Sequence, residues 1–135
     1  MRKSPENNTD IAVVEDDAFT LKAIEEKFRI SGIKPITFAD GISALEYLKN
    51  HNPKVVLLDI MLPGMNGLDV LEALRKEGRL KDSPVIVFTA LQDEEIRERA
   101  KSLGVTKFIY KAQVTLAELF GTTIDVMKKK PTPIA

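Results

Sequence analysis

Val55-Val56-Leu57-Leu58-Asp59-Ile60-Met61-Leu62-Pro63-Gly64-Met65-Asn66-Gly67 decides how the chain is read. Its first four residues are all apolar. A continuous run of this kind suits a strand covered on both faces, as in a parallel sheet, where a half-exposed strand would alternate. The run closes on a carboxylate, and Pro, Gly and Asn follow as turn and cap residues. Comparable runs lie at Ile11-Ala12-Val13-Val14, Val85-Ile86-Val87-Phe88 and Val105 to Tyr110, with a shorter one at Pro35 to Phe38. Between the runs, apolar residues recur at helical spacing. The stripes are Leu21, Ile24 and Phe28, then Ile42, Leu45 and Leu48, then Leu68, Leu71 and Leu74. Ile96, Ala100 and Leu103 make a fourth, and Leu116, Leu119, Phe120 and Met127 a fifth. Gly32 and Gly104 stand where left-handed C-caps are needed. Thr115 and Glu118 form a capping-box pair. Pro131 and Pro133 stop the last helix after Lys128-Lys129-Lys130, cations that oppose the helix dipole.

Five strand–helix repeats predict an α/β fold, a doubly wound five-stranded parallel sheet with helices on both faces. Its expected strand order is the flavodoxin-like 2-1-3-4-5. Residues 1–10 read as a flexible lead-in, 11–130 as the domain and 131–135 as a tail. A chain of 135 residues fits one domain. Lys plus Arg and Asp plus Glu number 20 each, so the net charge is zero. That balance argues against direct nucleic-acid binding and against docking on an anionic membrane. Cysteine is absent and His51 is the only histidine, which excludes thiolate sites and makes a histidine-based metal cluster or triad improbable. No apolar run approaches the ~20 residues that span a bilayer, and the N-terminus lacks an apolar signal core. A cytoplasmic protein is expected.

Ligands of open parallel sheets sit beyond the carboxyl ends of the strands. Glu15-Asp16-Asp17 follow the first run, Asp59 the third, Thr89 the fourth and Lys111 the fifth. Each alone has a plain structural reading as a cap, turn or surface residue. Together they differ, because neighbouring first and third strands bring Asp16 and Asp59 together. Clustered carboxylates repel unless a cation binds them or one is protonated. An oxygen-only donor set selects a hard cation, best Mg²⁺. A lysine and a hydroxyl beside a carboxylate nucleophile make a site for aspartyl-phosphate formation.

The segments Val13 to Asp17, Leu57 to Gly67 and Val87-Phe88-Thr89-Ala90, with Lys111, resemble the response-regulator receiver domain of two-component signal transduction. The likeness is to a CheY-like, apparently stand-alone regulator, with a receiver detached from an output domain as the other possibility. It covers roughly Asp10 to Lys128. The resemblance implies that Asp59 is the phosphoacceptor, fed by a histidine kinase or phosphotransfer protein. It implies Mg²⁺ held by Asp16, by Glu15 directly or through water, by Asp59 and by the backbone carbonyl of Met61. Lys111 would pair with Asp59 and then with the phosphoryl oxygens. Thr89 would move to the phosphoryl group and Phe108 would swing inward with it, although Phe108 also reads as a static edge aromatic. Asp17 is either part of the acidic site or only a helix cap. Met61 and Leu91 occupy positions that tune dephosphorylation, and both are apolar. Gly64 and Gly67 serve the turn and the start of the third helix, with Asn66 a candidate cap.

The output face would comprise the fourth helix, fifth strand and fifth helix, meeting an unknown downstream protein as a monomer or a phosphorylation-promoted dimer. One departure is that Ala112 stands where the family usually has a proline in a cis peptide. A cis bond to alanine costs about 3 kcal/mol, against under ~1 for proline. The loop is therefore either trans and rearranged, or strained. A haloacid-dehalogenase-type phosphatase would want an Asp where Met61 stands, and a flavodoxin-like flavin protein would want a hydroxyl- or glycine-rich phosphate loop where Glu15-Asp16-Asp17 would repel the phosphate. A receiver fold acting without phosphorylation finds support only in Ala112.

Overall fold

The computed structural model describes residues 10–129. Most of the lead-in, together with Lys130, Pro131 and Pro133, lies outside them. Five strands, β1 (Ile11–Val14), β2 (Pro35–Phe38), β3 (Val55–Leu58), β4 (Val85–Thr89) and β5 (Lys107–Tyr110), alternate with five helices. These are α1 (Ala18–Ile30), α2 (Gly41–Leu48), α3 (Gly67–Lys76), α4 (Glu94–Ser102) and α5 (Leu116–Lys128). The sheet is parallel throughout, in the order β2-β1-β3-β4-β5, as the repeats predict.

Strand side chains alternate between faces, and each face carries its own core. Ala12, Val14, Val56, Leu58, Val85 and Val87 face α2, α3 and α4, packing on Ala44, Leu48, Leu68, Leu71, Leu74 and Ala100. Ile11, Val13, Val55, Leu57, Ile86 and Phe88 face α1 and α5, packing on Ile24, Phe28, Leu119 and Val126. Phe28 and Phe120 join those two helices with ring centroids 5.1 Å apart. The uninterrupted apolar strands are thus explained by burial on both sides.

Side-chain caps satisfy the first amides of the helices, which have no partner within the helix. Asp17, Asp40, Asn66, Asp93 and Thr115 accept from the first turns of α1 to α5, and the Thr115–Glu118 capping box is complete. Gly32 and Gly104 take φ of +83° and +77° just past α1 and α4, as C-caps require.

The structure corrects four readings. Ile42 is 52% exposed, because the inward face of α2 runs through Gly41, Ala44 and Leu48. Ile42 instead covers the Gly64 turn, where an added Cβ would lie 3.3 Å from its Cδ1. Leu116, as the first residue of α5, is exposed rather than core. Val105 is buried before β5 begins at Lys107. Asp10 is anchored rather than loose. Its carboxylate accepts the Lys34 amide at 3.0 Å and pairs with Lys54 at 3.2 Å.

Close approach explains Gly67. Its amide donates to Ile60 O at 2.8 Å, and a Cβ there would run into the Asp59 carbonyl. Gly121, exposed in the middle of α5, would meet nothing within 4 Å. Urea unfolding should therefore separate the two. Gly67→Ala should destabilise by roughly 1–3 kcal/mol through overpacking, and Gly121→Ala should stabilise by roughly 0.5–1 kcal/mol through helix propensity.

Candidate functional site

Strand register builds the site. Val14 pairs with Leu58 across β1 and β3, and the Asp59 amide donates to Val14 O at 2.9 Å. The next residues of the two strands, Glu15 and Asp59, therefore emerge together. Both are buried, at 2% and 4% exposure, while Asp16 beside them is exposed. Glu15, Asp16 and Asp59 each offer a carboxylate oxygen, and these atoms lie within 4.8 Å of one another.

Lys111, one residue past β5, reaches into this cluster. Its Nζ lies 2.5 Å from Glu15 Oε1 and 3.0 Å from Asp59 Oδ2. The Asp59 contact is a hydrogen bond. The Glu15 contact is an ion pair without hydrogen-bond alignment, and Glu15 Oε1 has no hydrogen bond despite its burial. The ammonium also lies 5.3 Å from the centroid of the Phe88 ring, a cation–π contact that the sequence did not announce. Ile60 donates to Asp59 Oδ1 at 2.7 Å, with Met61 at a longer 3.4 Å. Asp17 donates its amide to Glu15 Oε2 at 2.9 Å.

Burial is the first influence on Glu15 and pushes its carboxyl above the ordinary glutamate range. The nearby Lys111 ammonium and the Asp17 amide pull the other way, and the Asp59 charge adds to the rise. Burial pulls the Lys111 ammonium down, but Glu15 and Asp59 outweigh it and leave it raised. Asp17 is lowered chiefly by the Thr20 hydroxyl, 2.6 Å away, and by the Thr20 amide. Asp17 caps α1 and stands outside the three-carboxylate group.

Thr89 ends β4, fully buried, and its hydroxyl accepts the Leu91 amide at 3.2 Å. Phe108 lies on β5 opposite Val87, partly buried against the α2–α3–α4 core. Met61 is 54% exposed, whereas Leu91 leans on that same core. No peptide bond among the described residues is cis, and Lys111–Gln113 form a single 3-10 turn. The trans alternative therefore holds at Ala112, and Lys111 still reaches Asp59.

These donors fit a hard cation. Glu15 and Asp59 share one ammonium with Asp16 beside them, all the donor atoms are oxygen, and Glu15 Oε1 is buried without a hydrogen bond.

Comparison with known proteins agrees with this architecture. The family described as the response regulator receiver domain matches residues 11–121, and the chain belongs to it. Over 101 residues, 75% of this chain, it is 38% identical to the probable transcriptional regulator ycf27 of Porphyridium aerugineum, covering 41% of that protein. It is 32% identical to the polar-differentiation response regulator DivK of Brucella anthropi, over 75% of this chain and 82% of that one. The receiver domain of the Francisella response regulator 1452 superposes with a TM-score of 0.79 at 28% identity, covering 90% of this chain and 98% of that one. Receivers are phosphoacceptor signalling switches rather than classical enzymes. Among the described residues no helix is long and apolar enough to cross a membrane.

The raised Glu15 carboxyl has a stability consequence without metal. Whatever Glu15 contributes is fully present below the unfolded-state pKa of ~4.3 and is lost as pH rises through the higher folded value. Glu15→Gln cannot ionise and escapes that loss. In EDTA, urea unfolding should show the variant gaining on the parent from pH 4 toward neutrality. A difference independent of pH would remove burial as the cause.

Proposed function

We propose that Asp59 is the phosphoacceptor of a two-component signalling switch, spanning residues 11–130 and working in the cytoplasm. The observation that carries this reading is the convergence of Glu15, Asp16 and Asp59, with the Lys111 ammonium against Glu15 and Asp59. An Asp59 carboxylate oxygen attacks the phosphorus of a phosphohistidine on a histidine kinase or phosphotransfer protein. The new P–O bond forms as the P–N bond breaks, and its electron pair leaves with the histidine nitrogen. Glu15, Asp16, Asp59 and the Met61 carbonyl would hold Mg²⁺, which when bound offsets the charge shared by the carboxylates and the phosphoryl oxygens.

Lys111 then shifts its hydrogen bond from the Asp59 carboxylate to the phosphoryl oxygens. Thr89 gives up the Leu91 amide and donates its hydroxyl proton to the phosphoryl group. Val87 and Thr89 share a sheet face with Phe108 across β4 and β5, so movement of Thr89 opens space into which the Phe108 ring turns. The changed surface, formed by α4, β5 and α5, meets a downstream protein without direct nucleic-acid contact, as a monomer or as a dimer promoted by phosphorylation.

Incubation with Mg²⁺ and acetyl phosphate should add one phosphoryl group by mass, and Asp59→Asn should add none. Asp16→Ala should weaken Mg²⁺ binding far more than Asp17→Ala, because Asp17 is occupied as a cap. A labelled Asp59→Asn, or equal losses at Asp16 and Asp17, would overturn the assignment.

Met61 and Leu91 set a slow return. Hydrolysis needs a water aligned opposite the Asp59 oxygen, and neither side chain can hydrogen-bond one. One orienting hydrogen bond of ~1.4 kcal/mol is about tenfold in rate. The double variant Met61→Asn, Leu91→Glu should dephosphorylate about tenfold faster once donor is removed. Equal decay in parent and variant would exclude that role.

A further inference from the structure

We propose that Arg97 of α4 is a positioning residue for Phe108, holding its ring at the rim of β5 and so restraining phosphorylation of Asp59. This rests on the reading above, in which Phe108 turns inward with Thr89.

The Arg97 guanidinium carbon lies 5.6 Å from the Phe108 ring centroid. Tyr110 meets the same ring edge-on, with centroids 5.3 Å apart and planes at 72°. Arg97 has no carboxylate partner among the described residues. The contrast with Arg99, two residues on, is informative. Arg99 crosses to α3 and pairs with Asp69 at 2.7 Å and Glu72 at 2.6 Å. One arginine of α4 therefore fastens the helix to α3, and the other has the aromatic ring as its contact.

The face of an aromatic ring is negative and attracts a cation. When the ring turns inward, it leaves Arg97 behind. The contact thus exists in one state and not in the other, which is the condition for shifting an equilibrium between them. A partly exposed cation–π pair lowers the inward population roughly two- to fivefold. Phosphorylation that draws on that population is slowed by the same factor.

The test measures labelling by acetyl phosphate with Mg²⁺, alongside the ring proton signals of Phe108. Arg97→Gln should be phosphorylated roughly two- to fivefold faster than the parent. Arg97→Lys, which keeps the cation, should stay near the parent rate. In a Phe108→Leu background, Arg97→Gln should give no further gain. The inference is overturned by parental rates in Arg97→Gln, by equal gains in Arg97→Gln and Arg97→Lys, or by a gain that persists in Phe108→Leu. Phe108 signals that stay fixed while the parent is phosphorylated would instead defeat the inward movement itself, and this inference with it. A moving ring with an unresponsive Arg97→Gln defeats only the role of Arg97.

Discussion

Parallel pairing of β1 with β3 forces Glu15 and Asp59 out of adjacent strands at the same level, both buried. Two ionised carboxylates in that position repel, and Asp16 adds a third. Lys111 is the counter-charge, reaching both from the end of β5. Its burial disfavours the ammonium, yet the two carboxylates keep it charged. The cluster remains short of positive charge, which is why its donor set suits a hard cation. The binding capacity of the site is the electrostatic deficit that the strand register creates.

Other features of the fold follow from holding that deficit in place. The Asp59 carboxylate is aimed by the Ile60 amide, and the segment after it is closed by Gly67, whose amide returns to Ile60. Only a residue without a side chain lets α3 start that close to the Asp59 carbonyl. Asp17 turns the chain into α1 by capping it, which takes Asp17 away from the cluster. Thr89 sits fully buried on the strand beyond, its hydroxyl engaged by a loop amide rather than by Asp59. The hydroxyl, the aromatic ring and the lysine thus all lie on β4 or β5 or just beyond them.

The fold was legible because its signals are local. Apolar runs of strand length, helical stripes, capping residues and two C-cap glycines all report the chain's own period and turns. The departures occur where packing depends on distant residues. Ile42 fitted its stripe, but Gly41 approaches Met65 so closely that α2 turns Ala44 inward and leaves Ile42 over a loop. Asp10 looked like lead-in, yet its partners Lys34 and Lys54 belong to the turns before β2 and β3. Ala112 left two conformations open, and the chain takes the trans one in a short 3-10 turn.

For the site, the sequence by itself determined which groups stand at the strand ends, because a carboxylate, hydroxyl or lysine after an apolar run is visible as text. It also determined the donor chemistry, since a chain without cysteine and with one histidine has mainly oxygen to offer a metal. Only the tertiary structure decided which of the three acidic residues after β1 converge with Asp59 and which serves as a cap. It alone placed Phe88 beside the lysine and Arg97 over Phe108. Those contacts join residues far apart in the chain through side-chain directions that sheet twist and helix packing set, and no local periodicity encodes them.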